Sequence, residues 1–214
     1  MTHVEAEIAS QPTCWRRSAE LSAGCSGVLP RPGERLAVVG CGTSLYIAQA
    51  FAGLRESAGM GETDAFPASE MPSRRYDRVL ALTRSGTTTE VIDLLDRLRG
   101  SVPIVVITAD PATPVMRVAD DTVVLDFADE ASVVQTRFAT SALALLRAHL
   151  GHDLVELSRQ AEEALGHDLP GGATERTQFT FLGRGWTVGL AHEGALKLRE
   201  ASLAWAESYP AMEY

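Results

Sequence analysis

"VLALTRSGTTTE", residues 79–90, is the stretch on which the fold turns. An apolar run from Val79 to Leu82 gives way to Thr83-Arg84-Ser85-Gly86-Thr87-Thr88-Thr89-Glu90, after which Val91, Leu94, Leu95 and Leu98 recur on one helical face. An unbroken aliphatic run reads as a strand buried on both faces, and the three-to-four spacing after it as an amphipathic helix. The turn between them carries five hydroxyl side chains and one glycine. Capping the helix would use one of those hydroxyls, for about 0.5–2 kcal/mol, and leaves the others unexplained. Hydroxyls and free backbone N–H groups around a glycine are what the oxygens of a phosphate need.

The same alternation extends in both directions. Strands are expected over 36–39, 63–66, 102–107 and 122–127, and helices over 45–58, 89–99 and 133–150. Aliphatic strands separated by amphipathic helices predict an α/β fold, a three-layer α-β-α sandwich on a parallel sheet with right-handed crossovers. Residues 4–28 read as one or two helices broken near Pro12, and Pro30-Arg31-Pro32-Gly33 punctuates the chain. After Gly151 the texture changes: a polar helix over 153–165, a linker at Leu169-Pro170-Gly171-Gly172, then a strand at 179–182 and a helix to about 208. Val39-Gly40-Cys41-Gly42 and Leu182-Gly183-Arg184-Gly185 open the two parts in the same way. The expected division is a helical segment 1–30, a first domain 31–151, a helical linker 152–177, and over 178–214 the first βα unit of a second, incomplete domain. One such unit cannot bury its own apolar face, so the expectation is that it docks on the first domain or on a partner, or that the sequence is cut short.

Composition narrows the function classes. A chain of 214 residues, 45% hydrophobic and 22% charged, is that of a globular protein. No apolar run approaches the ~18 residues of a membrane span, and the first ten residues do not look like a secretory signal, so a cytoplasmic location without membrane association is expected. A net charge of −9 disfavours nucleic acid as a partner. Cys14, Cys25 and Cys41 are odd in number and widely spaced, which suits reduced thiols, and the five histidines show no metal-binding spacing. No metal and no cofactor are expected. Gly40-Cys41-Gly42 follows a strand and Asp64 stands at a ribose-contacting distance, but Leu45 replaces the third glycine of the dinucleotide fingerprint, and Gly183-Arg184-Gly185-Trp186-Thr187-Val188-Gly189 is one residue too long. Dinucleotide binding is the weaker reading.

The last helix carries a second signal. Of the 19 basic residues, 18 are arginine and one is Lys197. An ammonium is compact and titratable in a way that guanidinium is not. Glu193, Lys197, Glu200 and Glu207 follow at intervals of 4, 3 and 7, one stripe on a helix otherwise rich in alanine and leucine. A solvated face with an i,i+4 ion pair would look the same. A glutamate beside a lysine in a partly buried site can also move a proton on a carbon next to a carbonyl.

With these residues in place the sequence resembles the sugar isomerase (SIS) family of phosphosugar-binding domains, and among them the double-domain members: the isomerase half of glucosamine-6-phosphate synthase and the aminosugar-phosphate isomerase/deaminases. "CGTS" at 41–44, "SGTTTE" at 85–90 and "FLGRG…EGALKLRE" at 181–200 carry the likeness, in the family's order. The resemblance implies aldose–ketose isomerisation, or isomerisation with deamination, of a hexose or aminohexose 6-phosphate in a homodimer. It implies that Gly42, Thr43, Ser44, Thr83, Arg84, Ser85 and Thr88 hold phosphate and sugar oxygens, with Val134 and Gln135 contributing from the segment before the long helix. Glu200 would move the proton between C1 and C2, Lys197 would assist the neighbouring oxygen or imine, and Glu193 would orient it. Arg84 stands where synthase-like members often carry a neutral amide. The family's ring-opening histidine belongs to a His-Gly-Pro segment beyond "YPAMEY", and none of the five histidines matches it. The alternative implied is a non-catalytic sugar-phosphate-binding module.

Overall fold

The computed structural model describes residues 2–214. Five parallel strands form the central sheet: β1 (Leu36–Gly40), β2 (Thr63–Pro67), β3 (Arg78–Leu82), β4 (Ile104–Thr108) and β5 (Asp121–Val124), in the order β2-β1-β3-β4-β5. β1, β3 and β4 are buried along their whole length. Their alternate residues feed two cores. Leu36, Val38, Leu80, Leu82, Val105 and Ile107 face α2 (Thr43–Ser57) and α4 (Arg137–His149). Ala37, Val39, Val79, Ala81, Ile104 and Val106 face α3 (Thr89–Leu98) and two short 3-10 helices. The expected three-layer sandwich is therefore the observed architecture.

The N-terminal helix α1 (His3–Cys25) runs unbroken through Pro12, where the sequence suggested an interruption. Proline costs a helix about 3 kcal/mol in isolation, because it lacks the N–H and crowds the preceding turn. Here Pro12 is buried and the helix is clamped from outside. Trp15 Nε1 donates to Thr140 Oγ1 at 2.9 Å, Thr140 Oγ1 donates to Gln11 Oε1 at 2.8 Å, and Arg137 Nη1 donates to Ser10 Oγ at 3.1 Å. Tertiary contact overrides local propensity. At the start of the sheet, Arg78 and Glu34 form a two-pronged pair (2.9 and 3.0 Å), and the fully buried Arg55 donates to Arg31 O and Thr63 Oγ1, each at 2.7 Å.

The C-terminal part departs most from the sequence reading. The helix expected to reach about residue 208 ends at Ser202, as α6 (Thr187–Ser202). Leu203 follows with φ +56°, and Trp205–Pro210 is a strand, β7, paired in parallel with β6 (Gln178–Gly183). The unit is thus β-α-β, and Glu207 leaves the helical stripe: it lies on β7, where Thr180 Oγ1 and Tyr209 OH donate to it. Trp205 and Tyr209 supply strand-forming aromatic residues that the alanine-rich context had concealed. α5 (Val155–Leu165) packs on α1 and leads into this unit.

The repeat noted in the sequence is a repeat of backbone. A Cβ on Gly40 would lie 2.7 Å from Ser44 Cβ, and one on Gly183 would lie 2.3 Å from Thr187 O. Gly42 and Gly185 take φ +55° and +56°. Both strand-to-helix turns therefore close so tightly that only glycine fits.

α6 docks on α2 with backbone against backbone. A Cβ on Gly189 would lie 2.6 Å from both Ala50 N and Tyr46 O, and one on Gly53 would lie 3.0 Å from Trp186 Cα. Filling that seam should cost about 1–3 kcal/mol. Gly189→Ala should lower the melting temperature by roughly 2–10 °C at this chain length. Thermal unfolding followed by circular dichroism tests this, and an unchanged midpoint would mean that the two helices are not in contact at Gly189.

Candidate functional site

In the strand order β2-β1-β3-β4-β5 the chain leaves β1 toward one edge and returns at β3 to build the other. The crevice beyond the carboxyl ends of β1 and β3 is the topological switch point, where open α/β sheets bind ligands. Two polar turns meet there. One is Gly40–Ser44, which opens α2; the other is 83–88, which opens α3.

The second turn is held from below. Arg84 O accepts from Ala109 N (3.0 Å) and Thr108 Oγ1 (3.1 Å), and Gly86 O accepts from Val115 N (3.1 Å). Gly86 has φ +59°, and a Cβ there would fall 2.0 Å from Thr113 Oγ1, so no other residue fits. The hydroxyls do not cap the helix: Thr88 is the N-cap residue and makes no side-chain capping bond. Its Oγ1 instead lies 3.4 Å from Thr83 Oγ1, while Ser85 Oγ accepts from Thr87 N and Thr87 Oγ1 at 3.3 and 2.9 Å. The amides opening α3 therefore remain available to an anion, and the helix dipole adds to their pull. Gly42 caps α2 without a side-chain bond, but Ser44 N and Leu45 N donate back to Cys41 O and Gly42 O (3.1 and 3.0 Å), so this wall keeps fewer free amides than the start of α3.

Arg84 does not reach into the crevice alone. Its Nη1 donates to Ser132 O at 2.8 Å, which ties the 83–88 turn to the segment that precedes α4. That segment holds the half-buried Val134 and Gln135, with Gln135 Oε1 buried and unpartnered. The structure thus gathers Thr83, Arg84, Ser85, Thr88, Val134 and Gln135 around neighbouring loops at one end of the sheet.

The stripe on α6 arrives from the seam. Trp186 meets Gly53, Gly189 meets Tyr46 and Ala50, and Glu193 meets Thr43, so α6 runs antiparallel to α2. Lys197 and Glu200 lie one and two turns further, about 6 and 10 Å past Glu193 along the axis, and so extend beyond the start of α2. Lys197 Nζ stands 2.5 Å from Glu200 Oε2 and 3.6 Å from Glu193 Oε1. The two carboxylates differ in setting. Glu193 is 8% exposed and its Oε2 has no partner, whereas the Glu200 side chain is 40% exposed. Burial pushes the Glu193 carboxyl up to about 7, against the opposing pull of the Lys197 charge and the Thr43 hydroxyl. One lysine is thus shared between a poised acid and an accessible one.

Two buried acids that the sequence reading passed over complete the surroundings. Glu130 Oε1 accepts from Thr136 N (2.5 Å), Thr136 Oγ1 (2.8 Å) and Arg137 N (2.9 Å), and its Oε2 from Phe138 N (3.1 Å), so a carboxylate from the preceding loop caps α4. The cue was an acidic residue shortly before a helix start, which is weak in a chain with 28 acidic residues. Glu7, on α1, is bonded to the backbone of residues 131 and 132. Nothing local signals a contact made across 124 residues.

Comparison with known proteins agrees with this geometry. The SIS domain family profile matches residues 31–150. The glutamine–fructose-6-phosphate aminotransferase [isomerizing] of Sulfurisphaera tokodaii is 28% identical over 197 residues, 84% of this chain and 33% of that protein. The enzyme of the same name from Thermus thermophilus is 31% identical over 217 residues, 86% and 35% of the two chains. The chain thus spans about a third of the length of these curated relatives. Among solved structures, the glucosamine-6-phosphate deaminase of Thermotoga maritima superposes with a TM-score of 0.80 at 25% identity, covering 100% of this chain and 71% of that one. The tagatose-6-phosphate ketose/aldose isomerase of Escherichia coli gives 0.79 at 20% identity over 97% of this chain and 67% of its own, a likeness of fold. From the match over 31–150, the five-stranded parallel sheet and the polar turns at its switch point, the chain belongs to the SIS domain family.

Proposed function

We propose that this protein binds a hexose or aminohexose 6-phosphate and interconverts its aldose and ketose forms, with or without loss of the amine, by glutamate-mediated proton transfer between C1 and C2. The observation that carries the reading is the contact of the α6 stripe, through Glu193 and Thr43, with the turn that opens α2, beside the hydroxyl-rich turn at 83–88. The phosphate sits on the hydroxyls of Ser85 and Thr88 and the amides beginning α3, with Thr83 and Arg84 bracing that turn. Gly42, Thr43 and Ser44 form the facing wall, and Val134 and Gln135 close the third side. Glu200 takes the proton from one carbon and returns it to the next. Lys197, already hydrogen-bonded to Glu200, supports the oxygen or imine on which negative charge develops. Glu193, buried behind Lys197, holds the ammonium in place. The reading divides the chain into the segments 1–30, 31–151, 152–177 and 178–214, in keeping with the family match and the separate β6/β7 sheet. It takes the protein to act as a homodimer in the cytoplasm; no described helix is long and apolar enough to cross a membrane. The exposure of Glu200 favours one other reading, a module that binds the sugar phosphate without turning it over.

Binding is tested by calorimetric titration with fructose 6-phosphate and glucosamine 6-phosphate. Ser85→Ala removes a hydroxyl offered to a charged group and should weaken binding by roughly ten- to a hundred-fold. Equal affinity in the variant would remove Ser85 from the site. For the chemistry, exchange of the C2 proton in deuterated water is followed by nuclear magnetic resonance. Glu200→Gln should slow it by about 10²–10⁴-fold while sparing affinity. Native exchange in the variant would displace Glu200 as the base, whereas binding without exchange in the native chain would select the binding module.

The buried acid gives a prediction of its own. A carboxyl raised to about 7 in the fold makes a contribution to stability that is complete below its unfolded value and lost as pH rises toward 7. Glu193→Gln should therefore melt within a degree or two of the native chain at pH 5 and several degrees above it at pH 8. Parallel melting curves at the two pH values that show no such divergence would contradict a net cost of burying the Glu193 carboxylate.

A further inference from the structure

We propose that Glu7, on the N-terminal helix, is a positioning residue for the 131–135 segment of the sugar-phosphate site, so that α1 sets how tightly the site holds its ligand. The inference rests on the binding reading above and extends it to a helix outside the family match.

The geometry is that of a pin. Glu7 is 3% exposed, and its Oε1 accepts from Ala131 N at 2.7 Å and Ser132 N at 3.2 Å. On the opposite side of the same residue, Ser132 O accepts from Arg84 Nη1 at 2.8 Å. The peptide units at 131–132 are thus gripped from two directions, by a carboxylate on α1 and by a guanidinium on the 83–88 turn. At its far end the segment is anchored by Glu130, which binds the first amides of α4. Residues 131–135 have no helix or strand of their own, so these side chains stand in for the hydrogen bonds that regular structure would supply. Carboxylate-to-amide bonds are charge-assisted and about twice as strong as neutral ones. Burial would raise the Glu7 carboxyl, but the bonds from Ser132 and Ala131 and the nearby Arg137 charge outweigh it and hold the group below the usual carboxylate range.

Displacement of Ser132 would act on the ligand twice. Val134 and Gln135 follow it directly in the chain, and Arg84, bonded to its carbonyl, lies between Thr83 and Ser85. α1 itself does not need Glu7 to stay in place, because Ser10, Gln11 and Trp15 bond to α4 independently. Loss of the carboxylate therefore falls on the segment and not on the helix.

The test uses the native chain, Glu7→Ala, the isosteric Glu7→Gln, and Ser85→Ala, each measured by hydrogen–deuterium exchange of residues 131–136 and by titration with fructose 6-phosphate. Glu7→Ala should speed exchange at 131 and 132 and raise the dissociation constant, each by about ten-fold. Glu7→Gln, which keeps an acceptor, should recover most of both; should Glu7→Ala fail to fold, Glu7→Gln alone is expected to change both by about two- to four-fold. Unchanged exchange in the variants overturns the pin. Faster exchange at native affinity, with Ser85→Ala still weakened, overturns the link to the site and leaves the phosphate reading standing. No binding by the native chain overturns that reading and the coupling with it, while the exchange data still report on the pin.

Discussion

The approach of α6 to α2, backbone against backbone at Gly189 and Gly53, is the constraint on which the rest of the molecule depends. It is what allows a β-α-β unit with a two-stranded sheet, too small for a core of its own, to attach to the five-stranded domain. It also sets the register along the seam. With Gly189 against Tyr46 and Ala50, Glu193 falls on Thr43, and the next two turns of α6 pass beyond the start of α2. A different register would leave Lys197 and Glu200 on solvent or on the flank of α2, as an ordinary charged face. The position of the only lysine is thus a consequence of two missing side chains.

The crevice that receives this helix follows from topology. Parallel strands direct their carboxyl ends to one side, and the reversal of direction between β1 and β3 opens a gap there. Glycine then decides how closely each turn closes: Gly40 and Gly42 before α2, Gly86 before α3. Neither helix start is capped by a side chain; the amides opening α3 face the gap, whereas those of Ser44 and Leu45 in α2 are bonded within their own turn. The start of α4 differs: there the chain supplies its own carboxylate, Glu130.

Electrostatically the site is divided. The end at 83–88 is built from dipoles and hydroxyls, with Arg84 turned toward a carbonyl, so in the proposed reading an anion there would be held by oriented groups more than by net charge. The α6 end combines one ammonium with two carboxylates of unequal burial. Burial disfavours ionisation of Glu193, while Glu200, on the same helix, is open to solvent. A net charge of −9 does not oppose the proposed anion site, because the local field, not the total, acts at short range.

Much of this was legible in the residues alone. The aliphatic runs at 36–39, 79–82 and 104–107 determined a buried parallel sheet, since no other arrangement covers both faces of such strands. The hydroxyl-rich turn at 83–88, the glycine repeat at 40–42 and 183–185, and the isolated Lys197 marked the candidate site for the same reason: each is a local departure from what a plain turn or helix requires. What failed locally also failed for physical reasons. Pro12 argues for a break, and only packing on α4 restores the helix; Trp205 to Pro210 follows a run of helix formers, and only pairing with β6 makes it a strand. The sequence by itself determined most of the elements, the parallel sense of the sheet and the chemistry of the turns, because these rest on periodicity and steric need within a few residues. Only the tertiary structure decided which acids are buried, that Glu207 leaves the stripe, and that Glu7 holds residues 131 and 132. Burial and long-range hydrogen bonds depend on what lies opposite in space, and no local pattern encodes that.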